Sequence, residues 1–148
     1  MRALGSSLII GLVAAMTTTV MAAVPSVVDL RTEWSAKLTG KDGRKVTGAA
    51  TAVPTADGAG TLVSVTLEGD TPGATRPWHV HSGSCAASGG VVGGGRAYSA
   101  LTIDSKGHAS AKATIAVTLP DTGKFYVNIH DAATAMNIIV ACGDLARK

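Results

Sequence analysis

Trp78-His79-Val80-His81 is the sharpest chemical feature of this sequence. On a β-strand, side chains two apart point to the same face, so His79 and His81 would stand side by side. Two imidazoles held that way are half of a metal site, and a third ligand must come from elsewhere. The remaining histidines are His108 and His130. His108 follows Ser105-Lys106-Gly107 and reads as a solvated turn residue. His130 ends the alternating run from Phe125, on its polar face. Cys85 follows the first histidine pair and Cys142 follows His130, so a bond between the cysteines would tie the two histidine-bearing segments together. The joint expectation is one ion held by His79, His81 and His130. Neutral imidazoles of this kind suit copper or zinc. The bland alternative is a pair of surface histidines at a strand edge.

Such a site needs strands to position it, and the chain reads as β throughout. Short stretches rich in Thr, Val, Ile and Ala give expected strands over 32–39, 44–53, 61–68, 78–81, 98–104, 109–119, 124–130 and 138–142. Turn signals separate them, among them Lys41-Asp42-Gly43, Ala56-Asp57-Gly58, Thr71-Pro72-Gly73 and Pro120-Asp121-Thr122-Gly123. Val63, Val65 and Leu67 alternate with Leu62, Ser64 and Thr66, the period of a strand with one face on a core. No helix is expected beyond one turn over 131–136. The Gly-rich run from Ser88 to Gly95 reads as a loop. About eight antiparallel strands with regular turns make an all-β Greek-key barrel or sandwich.

Composition narrows the function classes. The chain has 148 residues, 46% of them hydrophobic and 16% charged, with a formal charge of +3. That is enough apolar matter for one domain with a core, and it excludes an ordinary disordered chain. Without a basic run, no nucleic-acid partner is expected. Two cysteines cannot build a zinc ribbon. At the start, Met1-Arg2, an apolar run over 8–15 and the small residues Ala22 and Ala23 form a secretory signal peptide over residues 1–23. An uncleaved anchor is disfavoured, because the run falls short of about 18 residues and is broken by Thr17-Thr18-Thr19. The expected product is a single domain over 24–148, secreted or periplasmic, with no stable membrane insertion. In an oxidising compartment Cys85 and Cys142 are expected to pair rather than stay free.

Several runs resemble the copper/zinc superoxide dismutase family. They are Val46-Thr47-Gly48, Leu67-Glu68-Gly69-Asp70-Thr71-Pro72-Gly73, His79-Val80-His81-Ser82-Gly83-Ser84-Cys85, Ser99-Ala100-Leu101-Thr102-Ile103-Asp104, Val127-Asn128-Ile129-His130 and Ala141-Cys142-Gly143-Asp144-Leu145. The resemblance covers nearly all of 24–148. It implies an eight-stranded Greek-key β-barrel, one copper ion on His79, His81 and His130, and a Cys85–Cys142 disulfide. The family's zinc-binding and bridging histidines have no counterpart, since Ala86 to Arg96 contains neither His nor Asp. Zinc is therefore not the expected metal. Ile139 stands where the family carries an anion-holding arginine, and Asp131 is the only ionisable residue between His130 and Ala141. Tyr126 to His130, with the short Gly-rich insert, is also similar to the CHRD domain.

The reading is a copper-binding protein for copper handling or protection, with no catalytic residue assigned. One alternative is a copper-only superoxide dismutase, whose attraction for superoxide would fall to Arg76 or Arg96. Another is a CHRD-like structural or interaction domain without metal. Met136 could offer a thioether to Cu(I), although most single methionines fill gaps in cores. Trp34, Tyr98 and Tyr126 read as sheet and core residues. No protein partner or oligomeric state follows from the sequence.

Overall fold

A computed structural model describes residues 32–148. The expected signal segment over 1–23, and the expected start of the domain at 24, lie outside the described residues. The strands are β1 (Trp34–Gly40), β2 (Thr47–Pro54), β3 (Thr61–Glu68), β4 (Thr75–Arg76), β5 (Trp78–Gly83), β6 (Ser88–Val91), β7 (Leu101–Thr102), β8 (Ala109–Ile115), β9 (Phe125–His130) and β10 (Ile139–Arg147). Among the described residues the one helical piece is a 3-10 turn, Gly95–Ala97, and no helix is long and apolar enough to cross a membrane.

Eight strands form one curled antiparallel sheet in the order β6-β5-β9-β10-β1-β2-β3-β8. β4 and β7 pair separately. The fold is thus all-β and barrel-like, as the alternation predicts. β1, β2 and β3 follow one another as antiparallel neighbours, as do β9 and β10, while β5 and β9 reach the sheet by crossovers. Period-2 patterning explains the curl. In β3, Val63, Val65 and Leu67 are buried while Thr66 and Glu68 are exposed. The same inward set continues through Leu38, Ala50, Ala52, Val80, Val127 and Ile129. Each large apolar side chain buried in this way contributes about 1.5–3 kcal/mol. Trp34 packs edge-on against Phe125, and Trp78 is buried on the core side with its indole N–H donating to the Ser99 carbonyl.

β9 departs from the one-sided pattern, because all six of its residues are buried. Phe125, Val127 and Ile129 enter the core. Tyr126, Asn128 and His130 lie on the other face, beside β6, the segment that carries Met136 and the disulfide. Cys85 is bonded to Cys142, 57 residues later. Cys142 pairs with Asn128 across β9–β10, and Asp144 pairs with Tyr126. The Asp144 carboxylate also accepts the Cys85 backbone N–H at 2.7 Å. The segment after β5 is therefore strapped across β9 onto β10. Closing a loop of that length restricts the unfolded chain by about 4 kcal/mol in the chain-entropy picture.

The strand expectations differ from the structure in several places, among them β2, which starts at Thr47 rather than 44, and β8, which stops at Ile115 rather than 119. Ser88–Val91 is a strand rather than loop, made possible by pairing with β5. β7 holds only Leu101–Thr102 of the expected 98–104. β10 runs on to Arg147, past Gly143 and Asp144, because β9 and β1 both pair with it. β4 is a two-residue strand with no periodic signal at all.

Candidate metal centre

The register of β5 and β9 builds the site. His79 lies opposite Asn128, and His81 lies opposite Tyr126. His130 sits one step beyond, where its backbone N–H donates to the Pro77 carbonyl. Residues opposite one another share a face, and diagonal neighbours two positions on remain within reach. His79, His81 and His130 therefore converge on the face away from the core. A bulge between Ile139 and Ala141 interrupts β10 opposite His130.

One ligand nitrogen from each of the three imidazoles lies within 4.8 Å of the others. His79 Nδ1 and His130 Nε2 are 3.3 Å apart. Two nitrogens each bound at about 2.0–2.1 Å to one tetrahedral ion stand about 3.3 Å apart, so the spacing suits a shared ion.

The outer nitrogens fix which lone pairs face inward. His130 Nδ1 is 2.6 Å from the Met136 carbonyl, and His81 Nδ1 is 3.1 Å from the Gly89 carbonyl. A carbonyl can only accept, so each Nδ1 carries the hydrogen and each Nε2 carries a lone pair. Orienting contacts of this kind are what metal-binding histidines use to set tautomer and aim. His81 Nε2 is buried and has no hydrogen-bond partner among the described residues. An orphaned buried acceptor costs free energy unless something fills it, and an ion would. The three histidines thus lie close enough to bind a metal, with the lone pairs of His81 and His130 already turned inward.

The surroundings favour the neutral rings of His79 and His130. Burial, with the neighbouring His130 and His81, pushes His79 down to about 4. Burial also lowers His130, against the Met136 carbonyl, which favours its charged form. Tyr98 meets the His79 ring edge-on at 5.2 Å, and its hydroxyl donates to the Val92 carbonyl. Burial pushes that phenol up to about 12. Tyr126 stacks on His81 at 5.1 Å, and burial raises its phenol too. A cavity of about 320 Å³ opens beside the imidazoles, lined by His81, Tyr126, Asn128, His130, Met136 and Asn137 among others. Among the described residues no carboxylate lines it.

The sequence matches no protein-family model and no curated protein.

His108 does not join the cluster. It lines a separate depression with Glu68 and Asp104, and its backbone N–H donates to the Asp104 carboxylate. Arg76 is not at the open face either. It is buried, with Nε and Nη2 on the two Asp70 oxygens at 2.8 Å and Nη1 on the carbonyl and carboxylate of Asp131. Arg96 is exposed on the 3-10 turn, beside Gly95, where a Cβ would lie 3.4 Å from His79 Nε2. Sequence reasoning missed Gly89, whose carbonyl orients His81. A Cβ at Gly89 would land on the Ser82 carbonyl oxygen, so only glycine lets β6 come this close. It also gave Asn128 no role, although its place in the alternation with His130 puts it on the site's face.

Proposed function

We propose that this chain binds one copper ion through Nδ1 of His79 and Nε2 of His81 and His130, and that it works outside the cytosol in copper handling or protection. The observation that carries the reading is the pair of backbone carbonyls, Gly89 and Met136, that present two imidazole lone pairs beside a third imidazole. Copper is favoured over zinc because a set of imidazoles can hold it in both oxidation states, and because no carboxylate stands ready as base or proton shuttle for hydrolysis. The disulfide supports an oxidising compartment.

Handling is favoured over dismutation on electrostatic grounds. Attraction of superoxide needs a cation facing the open position. Arg76 is buried and paired to two carboxylates, Arg96 is exposed but does not line the cavity at the imidazoles, and Ile139 occupies the place of the arginine in the resembling family.

Copper titration of the disulfide-intact protein, followed by Cu(II) EPR, tests the reading beside a His79→Ala/His81→Ala/His130→Ala variant. A one-to-one signal with nitrogen hyperfine structure, lost in the variant, is expected. Equal weak binding by both proteins would overturn it. Superoxide decay on the loaded protein then separates carrier from enzyme.

A further inference from the structure

We infer that Met136 supplies a fourth, thioether ligand to the three-histidine site and makes it a Cu(I) site. The inference rests on the three-histidine reading and specifies its ion.

Met136 lines the same cavity as His81 and His130. Its backbone is fixed there, because its carbonyl accepts the His130 Nδ1–H at 2.6 Å. The segment that carries it is folded on itself. Asp131 N–H donates to Ile138, Ala135 N–H to Ala132 and Ile138 N–H to Ala135. The far side is anchored where Arg76 grips the Asp131 carbonyl and carboxylate. The sulfur sits three bonds from a Cα held beside a ligand histidine.

Core packing does not account for this residue. A methionine that fills a gap is buried, whereas Met136 is 37% exposed and stands outside the apolar core. Among the described residues it is the only sulfur in the cavity, whose other lining atoms belong to imidazole, amide, hydroxyl and aliphatic groups.

The charge balance chooses the oxidation state. Three imidazoles and a thioether are all neutral donors. Among the described residues no carboxylate lines the cavity. A monovalent ion leaves one uncompensated charge in this half-buried place, and a divalent ion leaves two. Thioether sulfur is a soft donor that selects Cu(I). Softness and charge therefore act in the same direction, and Zn(II) or Co(II) gains little from the sulfur.

Met136→Leu is the test, since it keeps the side-chain volume and the backbone carbonyl that His130 needs. Cu(I) affinity is measured anaerobically by competition with a bicinchoninate chelator, and Co(II) affinity by its visible spectrum. Met136→Leu should lose about tenfold or more in Cu(I) affinity while Co(II) affinity stays within about threefold. Copper K-edge absorption of selenomethionine-labelled protein should show a copper–selenium vector, absent in Met136→Leu. Equal Cu(I) affinity in both proteins overturns the inference, as does an equal loss for both ions, which would make Met136 merely a support for His130. Failure of the unsubstituted protein to bind either ion would instead overturn the three-histidine reading itself.

Discussion

His79 Nδ1 and His130 Nε2 stand 3.3 Å apart, with room between them for one proton or one metal ion and never for both. His130 already spends its Nδ1 hydrogen on the Met136 carbonyl. The hydrogen between the two rings must therefore belong to His79.

A tautomer exchange follows. Without metal, His79 should carry its hydrogen on Nδ1, donating to His130. With an ion at Nδ1, that hydrogen must appear on Nε2, on the side of Gly95. Long-range nitrogen–proton NMR of labelled protein, before and after a diamagnetic ion is added, reads the change directly. A metal-free His79 already protonated on Nε2 would sink the idea.

Acid should weaken the metal-free fold well above the carboxylate range. Above pH 6.5 neither the folded nor the unfolded His79 is charged. Below it the unfolded chain takes up a proton that folded His79 refuses until about 4. Stability thus falls with acidification from 6.5 to about 4, by on the order of 3 kcal/mol from His79. His130, also lowered, adds in the same direction. Urea unfolding across that window should show the midpoint dropping, and His79→Gln should flatten most of the slope. A flat profile in the unsubstituted protein would refute it.

Two neighbouring glycines should behave oppositely. Gly89→Ala drives a methyl group into the Ser82 carbonyl, whereas a Cβ at Gly90 meets nothing within 4 Å. The first substitution should cost about 1–3 kcal/mol and, by freeing His81 from the Gly89 carbonyl, about 10–100-fold in metal affinity. The second should change neither by much. Thermal unfolding and metal titration of both variants check the contrast, and equal behaviour would show that β6 can yield without disturbing His81.

Arg76 should prove structural. Burial works to raise the Asp70 carboxyl, yet the hydrogen bonds and charge of Arg76 hold it below the usual range. Removing the guanidinium leaves that carboxylate buried and unpaired, which costs about 3–5 kcal/mol. Arg76→Gln should therefore lower the unfolding midpoint sharply. It should also raise hydrogen exchange over 131–138, whose anchor is lost. Unchanged stability would mean that Asp70 finds another partner.

Much of the fold was legible because its signals are local. Thr61–Glu68 emerges with the bounds its alternation predicts. His79 and His81 share a face because two-residue spacing on a strand requires it. What local patterning could not convey was set by pairing at a distance. Ser88-Gly89-Gly90-Val91 has no strand propensity, and only its register against His81 makes it β6. β10 runs past Gly143 because partners on both sides hold it. The alternation of Tyr126, Asn128 and His130 suggested an outward polar face, and β6, the segment carrying Met136 and the strap from Cys85 to Cys142 together enclose it. Arg76 could equally have faced a substrate until Asp70 and Asp131 were seen to enclose it.

The crossover that brings β9 beside β5 also sets an order of events. His79 and His81 are neighbours as soon as that stretch of chain exists, but His130 lies 51 residues beyond His79. Contacts over such separations form late, since closing the intervening chain must be compensated first. An incomplete chain therefore offers an ion two imidazoles on a loose ribbon. The third arrives only when the sheet is assembled from β6 through β10. Tight capture is in this way deferred until folding is finished, and an ion held by all three histidines would be a chemical record that it is.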